Sequence, residues 1–105
     1  MKEKVKEKVI EDYLVRTIGH LAGKAYKFSS PSNKAVPDRI CMLPGGRVLL
    51  VECKAPGKVP TPLQARVIRD LRAMGHEVMV IDSKAQVDAL YTVLLEELKD
   101  VISTK

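Results

Sequence analysis

Three charged residues stand where a hydrophobic strand should carry none. Glu52 and Lys54 close the most apolar run of the chain, Val48-Leu49-Leu50-Val51, and Asp38 follows Pro37 at the start of the preceding apolar stretch. Residues two apart on a strand share a face, so Glu52 and Lys54 point the same way. Buried charges cost several kcal/mol unless they are paired or bind a metal. Two carboxylates brought together repel unless a cation lies between them, and an oxygen-only pair suits Mg²⁺ or Mn²⁺. Such an ion takes phosphate oxygens in its open positions and acidifies water, while a neighbouring lysine steadies developing negative charge. Those are the parts needed to hydrolyse a phosphodiester. The alternative is an ion cluster of Asp, Glu and Lys at a sheet edge, with no chemistry attached.

Whether Asp38 joins the other two depends on hairpin register. A two-residue Gly45-Gly46 loop would set Asp38 opposite Cys53, on the wrong face. A three-residue Pro44-Gly45-Gly46 loop sets Leu43 opposite Arg47 and Asp38 opposite Glu52, on the same face. A shift of one residue turns every side chain over. The active-site reading therefore requires the longer loop or a bulge.

The elements that must position these residues follow from periodicity. Val5, Val9, Tyr13, Leu14, Ile18 and Leu21 recur at helical spacing, which predicts a helix over 3–22 stopped by Gly23. Strands are predicted over 24–28, 36–43, 47–54 and 78–81. The four consecutive aliphatics of the third place it in the middle of a sheet. Thr61-Pro62-Leu63-Gln64 is a capping box with proline at N1. It opens a helix whose buried stripe reads as Leu63, Val67, Leu71 and Met74, ended by Gly75. Ser83 and Gln86 repeat the capping signature ahead of a last helix striped with Val87, Leu90, Tyr91, Leu94, Leu95 and Leu98. The strand-helix-strand unit over 47–81 demands a parallel crossover, and the hairpin before it is antiparallel. The expected fold is thus α/β, a mixed sheet flanked by helices.

Composition narrows the function. The 105 residues carry a net charge of +5, and the asymmetry is larger: +8 over residues 1–72 and −3 over 73–105. The basic part holds the polar motifs, which suits a polyanionic partner. Aromatics make up 4% with no Trp, which argues against an aromatic base-stacking platform. No apolar run approaches the ~20 residues of a membrane span, so no membrane partner is expected. Two cysteines without CxxC spacing exclude a disulfide scaffold and a cysteine-rich zinc site, and with no signal peptide evident the expected compartment is the cytoplasm. Candidate phosphate contacts are Lys34 and Lys58, whose loops flank the motif strands, and Arg66 and Arg69, which share a helix face; Lys24, Lys27, Arg39 and Arg72 are further candidates. His20 and His76 sit beside glycines at helix ends with no metal-binding spacing.

Taken in order, the motifs resemble a known family. Pro37-Asp38 followed after a hairpin by Glu52-Cys53-Lys54 is the PD-(D/E)xK nuclease signature. More specifically, the chain resembles the virus-type replication-repair nuclease (VRR-NUC) domain, in the stand-alone form of phages and bacteria. Gly23-Lys24-Ala25-Tyr26-Lys27, Val36-Pro37-Asp38-Arg39, Gly45-Gly46-Arg47, Glu52-Cys53-Lys54-Ala55-Pro56-Gly57, Thr61-Pro62-Leu63-Gln64 and Gly75-His76-Glu77-Val78 carry the match, over residues 7 to about 90. The resemblance implies a single VRR-NUC domain over 1–105, with a restriction-endonuclease-like αβββαβ core plus a C-terminal helix. It implies Mg²⁺- or Mn²⁺-dependent hydrolysis of DNA phosphodiesters, with no small-molecule cofactor. The family's metal-binding acids fall on Asp38 and Glu52, its metal-binding main-chain carbonyl on Cys53, its catalytic lysine on Lys54 and its glutamine on Gln64. Its first-helix glutamate, a ligand directly or through water, falls on Glu7 or Glu11. Glu11 is preferred because it lies closer to the helix end that leads into the sheet, whereas Glu7 lies among lysines. The expected activity is structure-specific cleavage of branched DNA such as four-way (Holliday) junctions, in DNA repair, by a homodimer. The leucine stripe of the last helix is the expected interface. The alternative is a non-catalytic nucleic-acid-binding domain that kept the fold.

Overall fold

A computed structural model describes residues 5–103. A four-stranded sheet in the order β1 (Lys24–Lys27), β2 (Arg39–Leu43), β3 (Arg47–Cys53), β4 (Val78–Ile81) forms the middle layer. β1 to β3 pair antiparallel, and β3 and β4 pair parallel through the helix that joins them. Helices α1 (Glu7–His20) and α3 (Lys84–Ser103) pack on one sheet face, and α2 (Pro62–Ala73) on the other. This is the expected αβββαβ core with a mixed sheet and a C-terminal helix.

The strand alternation divides the core. Cys41, Leu49, Val51 and Cys53 point toward α1 and α3, where they meet Ile10, Leu14, Ile18, Val87, Leu90 and Leu94. Leu50 and Val78 point toward Ile68 and Leu71 of α2. β3 is hydrogen-bonded on both sides, as its aliphatic run requires. The hairpin closes with Leu43 opposite Arg47, through a 3₁₀ turn at Pro44–Gly46 in which both glycines have left-handed backbone. That is the three-residue register, and its continuation sets Asp38 level with Glu52.

Several local expectations are corrected. The first helix begins at Glu7; positions 3 and 4 of the predicted span lie outside the described residues. It ends at His20, and Ala22 rather than Gly23 takes the left-handed conformation that follows, at φ 59°, while the Gly23 N–H donates to the Ile18 carbonyl at 3.1 Å. Gly23 is needed for space instead. A Cβ there would lie 2.7 Å from the Met42 carbonyl oxygen and 2.9 Å from Leu43 Cδ2. Gly23→Ala is expected to destabilise the fold by about 1–3 kcal/mol, read as a fall in the urea midpoint, because β1 must move off β2 to admit the methyl. β2 starts at Arg39 rather than 36, since Pro37 lacks an N–H to pair. On α2 the inward stripe is Gln64, Val67, Ile68 and Leu71, whereas Leu63 and Met74 are exposed. The stripe of α3 is as expected, but Leu90, Leu94 and Leu98 are buried within the chain itself and Leu95 packs against the same core. They leave no leucine face for a second copy.

Candidate active site

Asp38, Glu52 and Lys54 lie at one end of the central strands, and each is fixed by a different backbone constraint. The Asp38 carbonyl accepts the Phe28 N–H at 2.9 Å, which ties it to the end of β1. Its side-chain Oδ2 accepts the Cys53 N–H at 2.8 Å, which ties it across to β3. Glu52 is set by strand parity on the α2 face and is 2% exposed. The Lys54 N–H donates to the Ile81 carbonyl at 2.9 Å, extending the parallel ladder by one residue.

The lysine ammonium is held twice. Lys54 Nζ donates to Gln64 Oε1 at 2.7 Å and lies 3.3 Å from Glu52 Oε2. Gln64 reaches it because the stripe of α2 is turned so that position 64 faces the sheet. The same Oε1 accepts the Thr61 N–H at 2.9 Å, and Thr61 Oγ1 accepts the Gln64 N–H, which completes the predicted capping box. An ammonium has three N–H donors, so one remains for a substrate.

The Glu52 carboxylate is electrostatically strained. Burial and then the charge of Asp38 push the Glu52 carboxyl up to about 7, against the pull of Lys54. Glu52 Oε1 is buried and has no hydrogen-bond partner. A buried carboxylate oxygen without a donor, beside a second carboxylate, is what a cation would satisfy. Among the described residues no group of three or more His, Cys, Asp or Glu side chains is placed to hold an ion unaided. The two acids therefore fit a cation whose remaining ligands are main-chain, water or substrate oxygens. Burial also raises the thiols of Cys41 and Cys53, leaving both as inert core groups.

The first-helix acids separate by one turn. Glu11 Oε2 accepts from Arg39 Nε at 2.7 Å in a largely buried ion pair, and Arg39 Nη1 also donates to the Ala25 carbonyl. Glu7 is the acid raised by burial and by Asp38, and lowered by Lys54. The geometric reason for preferring Glu11 is reversed here. The C-terminal end of α1 leads into the start of β1, which then runs back toward Asp38, so the site lies at the N-terminal end of the helix. Of the further phosphate candidates, Arg39 is thus paired with Glu11, and the Arg72 guanidinium donates to the Val78 carbonyl. Lys34, Lys58, Arg66 and Arg69 are all exposed; Lys34 lies in the loop before Asp38 and Lys58 in the loop after Lys54.

No protein-family model matches the sequence. The chain is 49% identical over 80 residues to "Putative nuclease p44" of Acyrthosiphon pisum secondary endosymbiont phage 1, covering 76% of this chain and 86% of that protein. A solved structure named as a VRR_NUC domain superposes with a TM-score of 0.77 at 32% identity, covering 82% of this chain and 94% of that one. The chain belongs to the VRR-NUC family of nucleases. In this VRR-NUC chain the αβββαβ elements are those of the restriction-endonuclease-like fold, and none of its helices, among the described residues, is long and apolar enough to cross a membrane.

Proposed function

We propose that this VRR-NUC chain is a single-domain, divalent-cation-dependent endonuclease that hydrolyses phosphodiesters in branched DNA. The observation that carries the proposal is the unpartnered, buried Oε1 of Glu52, on the strand face shared with Asp38 and Lys54. Asp38 and Glu52 would hold Mg²⁺ or Mn²⁺, together with the Cys53 main-chain carbonyl. A cation there supplies polarisation of the phosphodiester and acidification of water. Lys54, steered by Gln64 and Glu52, presents its free N–H to the attacking water or to the oxygen on which charge develops. For the first helix, the shared field of Asp38, Lys54 and Glu7 favours Glu7 as the acid that reaches the site, with Glu11 as the partner that docks the helix through Arg39.

Lys54→Ala tests the division of labour. Turnover is expected to fall ~10²–10⁴-fold, the size of a lost transition-state contact, while Mn²⁺ affinity measured by calorimetry changes little. Equal loss of both would place the lysine in the cation site rather than at the water.

The proposed substrate is a four-way junction or related branch in the cytoplasm of a bacterial or phage-infected cell, cut in pairs by a homodimer. One small domain reaches one scissile phosphate, and paired cuts need a second site related by a two-fold axis. Because the leucine stripe of α3 is internal, that dimer would use another surface. A cleavage panel with Mg²⁺ or Mn²⁺, comparing linear, nicked, flapped and four-way-junction DNA, tests the substrate, and sedimentation with and without junction tests the assembly. Paired cuts by a monomer would remove the dimer. A non-catalytic DNA-binding domain is the competing reading, and a buried carboxylate beside a polyanion site gives such a domain no benefit.

A further inference from the structure

The face of the sheet that carries Asp38, Glu52 and Lys54 is only half covered. α2 packs over Leu50, Val78 and Val80, with Phe28 and Ile40 at the margin of that cluster. Beyond them Tyr26, Met42 and Val48 stand open, at 49%, 45% and 45% exposure. Strand register makes these three neighbours: Tyr26 opposes Ile40, and Met42 lies between Lys24 and Val48. The patch is continuous with the site, because Asp38, Ile40 and Met42 alternate along β2 on one face. Tyr26 stands one repeat, about 7 Å, along the strands from the level of Asp38 and Glu52.

Its chemistry is apolar and cationic together. Residues 24–28 and 39–43 contain no acidic side chain. Lys24 Nζ lies 4.9 Å from the Tyr26 ring centroid, two residues along the same strand face, whereas Lys27, opposite Arg39, is on the other face. An exposed strand surface with an open aromatic ring and a lysine beside it suits unpaired bases, one of which stacks on the ring while a phosphate meets the ammonium group. The scarcity of aromatics argues against a multi-ring platform, but a single ring beside the cut site is enough to seat one base. A second copy of the chain is a poorer occupant. It would bring the Lys24 edges of two chains together and lid the strand ends at which Asp38 and Lys54 open.

We propose that this open half of the sheet binds an unpaired, single-stranded arm of the substrate, with a base on Tyr26 and its phosphate on Lys24. The role in the cleaved substrate rests on the nuclease reading; the binding does not. The test is fluorescence anisotropy of the full chain with a labelled oligothymidylate in EDTA, alongside a blunt duplex of equal charge. Tyr26→Ala is expected to weaken oligothymidylate about tenfold, within the range of one lost stacking contact, and to leave the duplex unchanged; Tyr26→Phe is expected to restore wild-type affinity. With Mg²⁺, the alanine variant is expected to raise KM for a flapped substrate without changing kcat. Unchanged oligothymidylate affinity in Tyr26→Ala overturns the proposal, as does a dimer-to-monomer change in sedimentation with affinity intact, which would make the face an interface between copies. Tyr26-dependent binding in a chain that cuts no DNA would uphold this surface and overturn only the nuclease reading.

Discussion

Glu52→Gln is expected to abolish cleavage and, at the same time, to make the metal-free protein more stable. The carboxylate is 2% exposed, one of its oxygens has no partner, and Asp38 repels it. A carboxyl whose folded-state pKa is raised from 4.5 to about 7 favours folding only while protonated. Its contribution is full below the unfolded-state value and is lost as pH rises through about 7, so above neutrality the metal-free fold carries a buried charge that the Lys54 ammonium offsets only in part. The amide removes that charge and has the Asp38 carboxylate on its own face to donate to. The expected gain is about 1–3 kcal/mol at pH 8 and close to none at pH 4, read from urea midpoints in EDTA. Saturating Mg²⁺ should narrow the difference by stabilising the wild type alone. A variant that retains wild-type turnover, or one less stable than wild type at pH 8, would break the link between this carboxylate and a cation.

Asp38→Ala is expected to abolish cleavage with the opposite effect on stability. Asp38 Oδ2 is the acceptor for the Cys53 N–H, and Cys53 is fully buried. Removing it orphans a buried donor, which costs about 1–3 kcal/mol. Asp38→Asn keeps an acceptor oxygen and loses the charge, so it should lose cleavage while holding stability near wild type. The pair of variants separates the structural role of the side chain from its charge. Equal destabilisation by Ala and Asn would mean that the charge, not the hydrogen bond, holds the strand ends together.

The parts of the fold that were readable are those set by local chemistry. The Thr61/Gln64 capping box, the proline at N1 and the parity of Glu52 and Lys54 each depend on a few adjacent residues, and each is present in the structure. The hairpin register was readable as a condition: the sequence allowed two loops, and the Pro44–Gly46 turn takes the one that puts Asp38 level with Glu52. What was not readable depends on which way a helix is turned or pointed in space. Helical spacing alone allows α2 to bury Leu63 and Met74 or Gln64 and Ile68, and only the sheet beneath it decides. The choice between Glu7 and Glu11 turns on the direction in which β1 returns toward the site, which no helix pattern contains. Arg39 read as a phosphate contact because its partner, Glu11, is 28 residues away. Strand alternation carries that signal: Arg39 is on the opposite strand face from Asp38, toward α1.

The shared acceptor on Gln64 makes the start of α2 a reporter of events at the lysine. Thr61 N–H and Lys54 Nζ both donate to one carbonyl oxygen. When a phosphate draws the ammonium away, that oxygen keeps the amide as its sole donor and binds it more tightly; when the glutamine swings with the lysine, the amide is released to solvent. Hydrogen–deuterium exchange at the single Thr61 amide, slowed in the first case and accelerated in the second, thus distinguishes a lysine that moves alone from one that carries its helix cap with it. The chain has no tryptophan to serve as an optical probe, and this proton offers a native one.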